Sequence, residues 1–175
     1  MALAGVGLAV LLAIGLVATF SGVSPESLLA LGYPGVFILM FMSGGATVFP
    51  FPGPPCVVAA GAILNPLGVG LAAGLGNATG ELVSYSLGVG AAAALENYKN
   101  ARLVATLRAL LDRYGFWLIL GIAAVPNPIF HIISLLAGST SYPVRRFWLA
   151  TAIGNVAKYT AFAFLGYGAL RALFG

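Results

Sequence analysis

Glu81 and Lys158 are the residues of this chain whose type and setting most invite a chemical role. Each is a lone ionisable side chain midway along an apolar stretch, Leu67 to Leu95 for the acid and Phe147 to Leu170 for the base. A charge at the centre of a membrane helix costs roughly 3 kcal/mol or more, so such groups face a cavity or a partner. Helical spacing puts Asn77, Ser84, Tyr85 and Gly88 on the face of Glu81, and Thr151 and Asn155 on that of Lys158. Polar stripes of this kind suit a substrate path or a proton-coupling site. His131, the sole histidine, and Asn127 are the other candidates, beside the break Val125-Pro126-Asn127-Pro128. A histidine titrates near neutral pH but as often simply hydrogen-bonds inside a core. The Asn127 amide suits either the backbone groups freed by its flanking prolines or a polar headgroup. One histidine, one cysteine (Cys56) and four acids supply neither a ligand cluster nor a nucleophile with its base. The reading is therefore not an enzyme, with no catalytic residue, metal or cofactor.

Composition sets where these groups sit. Of 175 residues 61% are hydrophobic and only 7% charged, against about 25% in soluble domains. That describes an integral membrane protein forming one domain of a few spans. The 24 glycines fit closely packed helices. The net charge of +4 serves orientation and is no nucleic-acid footprint.

The expected elements follow from where the apolar sequence is interrupted. Residues 2–22 form a first span, read as retained because no basic residue precedes it. Ser24-Pro25-Glu26-Ser27 then opens a short interfacial helix. Residues 34–64 are cut by Pro50, Pro52, Gly53, Pro54 and Pro55, and prolines at that density stop a helix. Each arm falls short of a hydrocarbon core of about 30 Å, so the segment reads as a re-entrant hairpin. Backbone broken at that depth must be shielded by protein or a wet cavity. Asn65-Pro66 supplies the turn into a full span, 67–95. Residues 96–114 form an amphipathic surface helix whose apolar stripe includes Leu103, Leu107, Leu111 and Tyr114. A second hairpin, 115–138, breaks at Pro126 and Pro128, and residues 145–172 make the last span.

The halves superimpose by counting. Pro66 to Glu81 and Pro143 to Lys158 are both 15 residues, while Pro52 to Pro66 is 14 and Pro128 to Pro143 is 15. Glu81 and Lys158 then stand at one depth and are expected to line a path or hold it shut as a pair. With the N-terminus and residues 96–114 in the cytoplasm, Lys99, Arg102, Arg108, Arg113, Arg145 and Arg146 lie inside and only Arg171 outside. The hairpins then enter from opposite faces. The expected fold is all-α: an inverted repeat of re-entrant hairpin plus span, with an extra N-terminal span and a surface helix. Paired broken segments in such a repeat point to a site near the midplane.

The run Gly76-x-x-x-Gly80-Glu81-x-x-x-Tyr85-x-x-Gly88 resembles the G-x-x-x-G-[DE]-x-x-x-Y-x-x-G signature of the DedA membrane proteins, also called the VTT or SNARE-associated Golgi protein family. Phe51-Pro52-Gly53-Pro54-Pro55 before Ala60-Gly61 is similar to the family's first re-entrant loop. Val125-Pro126-Asn127-Pro128-Ile129-Phe130, Ala137-Gly138 and Gly154-Asn155 before Lys158 are similar to its second half. The resemblance implies opposed hairpins in a plasma membrane of prokaryotic type and movement of lipids: phospholipid scrambling, or return of a polyprenyl-phosphate carrier. It departs from the family pattern at Cys56, where an acid is common, and in the second hairpin, where arginines give way to Asn127 and His131.

The leading expectation is thus a lipid scramblase or flippase whose path involves Glu81, Lys158, Asn127, His131, Asn77, Tyr85 and Asn155. Its partners would be membrane lipids, anionic phospholipid or polyprenyl phosphate among them, with the glycine-rich faces available for a homo-oligomer. A proton-coupled exporter of small cations or drugs, and a membrane scaffold docking partners on residues 96–114, are the alternatives.

Overall fold

The computed structural model describes residues 31–45, 53–92, 102–127 and 129–174. The expected first span 2–22, the interfacial helix after Ser24, and Pro50, Pro52 and Pro128 lie outside the described residues. The rest is all-helical: α1 (Tyr33–Gly45), α2 (Gly53–Ile63), α3 (Pro66–Gly90), α4 (Arg102–Tyr114), α5 (Phe116–Ala124), α6 (Phe130–Ser139) and α7 (Val144–Phe174).

Local sequence explains the boundaries. Asn65 caps α3, its side-chain oxygen accepting from the Leu67 and Gly68 amides at 3.0 and 3.4 Å, with Pro66 at the first helical position. Gly115, at φ 41°, is the single residue separating α4 from α5. One expectation is corrected here. Gly53, Pro54 and Pro55 are not part of the break but form the first turn of α2. The opening amides of a helix have no intrahelical acceptor, so proline is tolerated there. The span expected to reach Leu95 ends as a helix at Gly90.

Both broken segments double back. Gly68, at the start of α3, packs on the Tyr33 ring at the start of α1, and α2 ends at Ile63 just ahead of that point. In the second segment, a β-carbon on Gly115 would lie 3.2 Å from the Tyr142 hydroxyl, so the start of α5 meets the chain just beyond α6. The long helices α3 and α7 run antiparallel. Gly70 packs on Thr160, Gly74 on Val156, Asn77 bonds Asn155, and Thr79 accepts from the Trp148 indole at 3.4 Å. The two returns therefore lie at opposite ends of the bundle.

The arms are exchanged. Arm α1 packs along α3, but α2 packs on α7; arm α5 packs along α7, but α6 packs on α3. Matching glycines make the matching contacts. Phe37 and Leu120 press their carbonyls on Gly76 and Gly154, and the close pairs Gly61–Ala163 and Gly166–Val58 correspond to Gly138–Tyr85 and Gly88–Leu135. The long helices thus correspond at a spacing of 78 positions and the second arms at 77.

Two apolar clusters fill the halves. Phe147, Ile119, Ile133 and Phe130 form one, into which α4 inserts Leu107 and Leu111; Val36, Met40, Val57, Val69 and Tyr159 form the other. The amphipathic helix is therefore anchored to the bundle through part of its expected stripe, whereas Tyr114 is exposed.

Candidate functional site

Between the clusters lies a polar interior. Glu81, 2% exposed, is placed by the middle of α3, where its carboxylate meets the second arm of the other half. The Ser134 hydroxyl donates to Glu81 Oε2 at 2.7 Å and also reaches the Phe130 carbonyl at 3.1 Å. His131 Nδ1 lies 3.3 Å from Glu81 Oε1, in ion-pair range although not aligned as a hydrogen bond. His131 and Ser134 are three residues apart on α6 and so share the face turned to α3. The His131 side chain is 34% exposed, so this polar contact runs from the surface to the buried acid.

One turn earlier on α3, Asn77 Oδ1 accepts from Asn155 Nδ2 at 2.8 Å, while Asn77 Nδ2 reaches the Met40 carbonyl at 3.5 Å. Asn77 and Asn155 are equivalent residues of the two halves, so their bond lies on the approximate two-fold axis. Asn155 Oδ1 and Thr151 Oγ1, one turn apart on α7, are fully buried and have no hydrogen-bond partner among the described residues. Buried polar atoms of this kind call for water or a ligand group.

Asn127 serves the first of its two expected roles. The normal helical partner of the Ile122 carbonyl is the amide of residue 126, which as proline has none. Asn127 Nδ2 substitutes, donating to Ile122 O at 2.7 Å and Val125 O at 2.8 Å. Asn127→Ala is expected to destabilise the protein by about 0.5–1.5 kcal/mol through the loss of those bonds, since the Ile122 carbonyl keeps the Val125 amide and the Val125 carbonyl is exposed. Asn127→Asp, which also lacks the donor, should cost at least as much, and thermal unfolding in detergent compares the two.

Tyr85 is placed by α3 to donate its hydroxyl to the Tyr142 carbonyl, tying the mid-bundle helix to the turn before α7. Its ring stacks on Phe147 at 5.1 Å. Tyr85→Phe keeps the ring contact and removes only the bond, an expected loss of about 0.5–1.5 kcal/mol in the same measurement. Burial raises the Tyr142 hydroxyl above the ordinary tyrosine range, with the Arg146 charge acting the other way. That phenol stays protonated at neutral pH.

Lys158 departs from expectation. No ion pair joins it to Glu81 among the described residues; its ammonium lies 4.6 Å from the centre of the Tyr159 ring. The count between prolines is misleading by one residue. The packing equivalence of 78 positions makes Tyr159 the counterpart of Glu81, and one residue turns a helix by about 100°. The sequence reading missed Ser134, although its place three residues after His131 was a signal. It also missed the Thr79–Trp148 bond, for which the sequence carries no sign.

The geometry defines a class: a helical protein built of two like halves that exchange their broken arms around a buried polar centre. A family model for the VTT domain matches residues 51–168, which span both halves, and the chain belongs to that family, the domain of the DedA and SNARE-associated Golgi proteins. The family is membrane-associated. No curated protein and no solved structure matches the chain.

Proposed function

We propose that the protein is an integral membrane lipid translocator, moving the headgroups of phospholipid or polyprenyl phosphate between leaflets along the polar interior of an inverted repeat. In this reading α1–α2 and α5–α6 are re-entrant hairpins from opposite faces, α3 and α7 are the crossing helices, and α4 lies on the cytoplasmic side. The observation that carries it is the inversion of polarity. Asn77, Glu81, Ser84, Ser134, Thr151 and Asn155 are buried, whereas Leu67, Leu71, Leu87, Ile153, Phe164 and Leu165 are exposed. A water-soluble fold arranges these residue types the other way round.

Among the described residues no helix is both long and apolar enough to cross a membrane. Length does not limit α3 and α7, whose 25 and 31 residues measure about 37 and 46 Å. What lowers their hydropathy is in large part the inward polar stripe itself, which is buried within the bundle and not on its outer surface. The outward faces supply the apolar surface a bilayer requires.

Reconstitution into liposomes with labelled phospholipid in one arm and polyprenyl phosphate in another tests the reading. Transbilayer movement of either lipid, above that of empty vesicles, is expected; movement of neither contradicts it.

A further inference from the structure

The two halves match in packing but not in chemistry, and the mismatch falls on one pair of equivalent seams. In the seam between α3 and α6, Glu81 faces Ser134 and His131. In the equivalent seam between α2 and α7, the position of Glu81 is taken by Tyr159 and that of Ser134 by Val57, packed with Ala60 and Ala163 in an apolar cluster. Both seams are interlocked by glycines against backbone, Gly88 and Gly138 in one, Gly61 and Gly166 in the other. Steric fit therefore does not distinguish them.

We propose that the headgroup path is one-sided: the phosphate-bearing headgroup of a lipid passes along the α3/α6 seam, lined by Glu81, Ser134 and His131, while the α2/α7 seam stays shut. The proposal rests on the lipid-translocating function and says which of two equivalent junctions performs it.

Hydration supplies the physical reason. Parting α2 from α7 exposes Val57, Ala60, Tyr159 and Ala163, at about 25 cal/mol for each Å² of apolar surface wetted. Parting α6 from α3 also exposes Ala137 and the Tyr85 ring, the counterparts of Ala60 and Ala163, but where the other seam would wet Val57 and Tyr159 it exposes a hydroxyl and a carboxyl group beside an imidazole, which exchange their present contacts for water or a headgroup at less cost. His131, partly exposed beside the break at the start of α6, offers the headgroup a further polar contact next to the buried pair of Ser134 and Glu81. The imidazole and serine hydroxyl donate to phosphate oxygens, and Glu81 accepts from the amine of a zwitterionic headgroup or from water carried with an anionic one.

Ser134→Cys and Val57→Cys, each in a Cys56→Ser background, test the asymmetry. Both positions are closed in the resting structure, at 0% and 1% exposure, and both replacements roughly conserve volume. Proteoliposomes of each variant, first checked for monodispersity and helical content, are treated with a small charged methanethiosulfonate, and labelled-phospholipid movement is read before and after. The expected result is labelling at position 134 at least tenfold faster than at 57, with loss of lipid movement on labelling at 134. Equal labelling, labelling of neither, or faster labelling at 57 overturns the proposal, as does lipid movement that survives full modification at 134. Selective labelling at 134 in a protein that moves no lipid even before treatment overturns the lipid path and the proposed function together. Loss of the labelling asymmetry in a protein that still moves lipid overturns this inference alone.

Discussion

Gly166→Leu is expected to unfold the α2/α7 contact, with a loss of about 3 kcal/mol or more, at or beyond the upper end of ordinary overpacking. Even a β-carbon there would overlap the Val58 carbonyl oxygen and stand 3.2 Å from the Ala62 amide nitrogen. These are backbone atoms within α2, so relief requires moving the whole helix, not a rotamer. The same helix carries its own control. A β-carbon on Gly168 would meet no atom of the described residues within 4 Å, so Gly168→Leu should leave stability within about 0.5 kcal/mol of the parent, as surface substitutions do. Thermal unfolding in detergent of the two variants side by side separates close approach from general intolerance of bulk in α7. Equal losses for both would show that α2 does not press on α7 at Val58.

Glu81→Gln is expected to have the largest effect on function. The glutamine keeps the volume and leaves an oxygen to accept from Ser134. It removes the acid that faces His131 and keeps a hydrogen bond to Ser134 worth about 1 kcal/mol. Stability should therefore fall only modestly, while lipid movement in liposomes should fall at least tenfold, because the group lost is the one that would meet the headgroup. Full lipid movement in this variant would remove Glu81 from the path. Lys158→Met tests the contrasting placement. Its ammonium lies on the Tyr159 ring and not on the carboxylate, so it should not reproduce the Glu81→Gln defect in the same assay.

Much of this arrangement was legible in the sequence because it is written in residue types with little conformational choice. Asn65-Pro66 marks a turn that the chain does make, and the shortness of the apolar pieces around Val125-Pro126-Asn127 implied a reversal; Gly115 and Tyr142, at the two ends of that segment, lie together. The polar stripe of α3 was legible from i, i+4 spacing, and Asn77, Glu81 and Ser84 are indeed buried. What the sequence hid was the partner of each polar group. Counting from proline to proline equated Glu81 with Lys158, because a turn landmark fixes depth but not rotation about the helix axis. The Gly76-Asn77 and Gly154-Asn155 pairs, which make equivalent contacts, give the true register. The exchange of arms was hidden too: α2 is apolar all round, and the polar pair His131 and Ser134 marks an inward face of α6 without saying which long helix it meets. Gly53-Pro54-Pro55 was misread because a proline run breaks a helix that precedes it yet serves well in the first turn of the one that follows.

The central claim is geometric: each broken segment begins and ends at one face, and the two segments use opposite faces. Single cysteines in a Cys56→Ser background at Leu31, Ile63, Tyr114 and Thr140, all exposed at the ends of the two segments, test it with a membrane-impermeant maleimide applied to either side of oriented vesicles. Positions 31 and 63 are expected to label from one side and 114 and 140 from the other. Labelling of 31 and 63 from opposite sides, or of 114 and 140 from opposite sides, would contradict it.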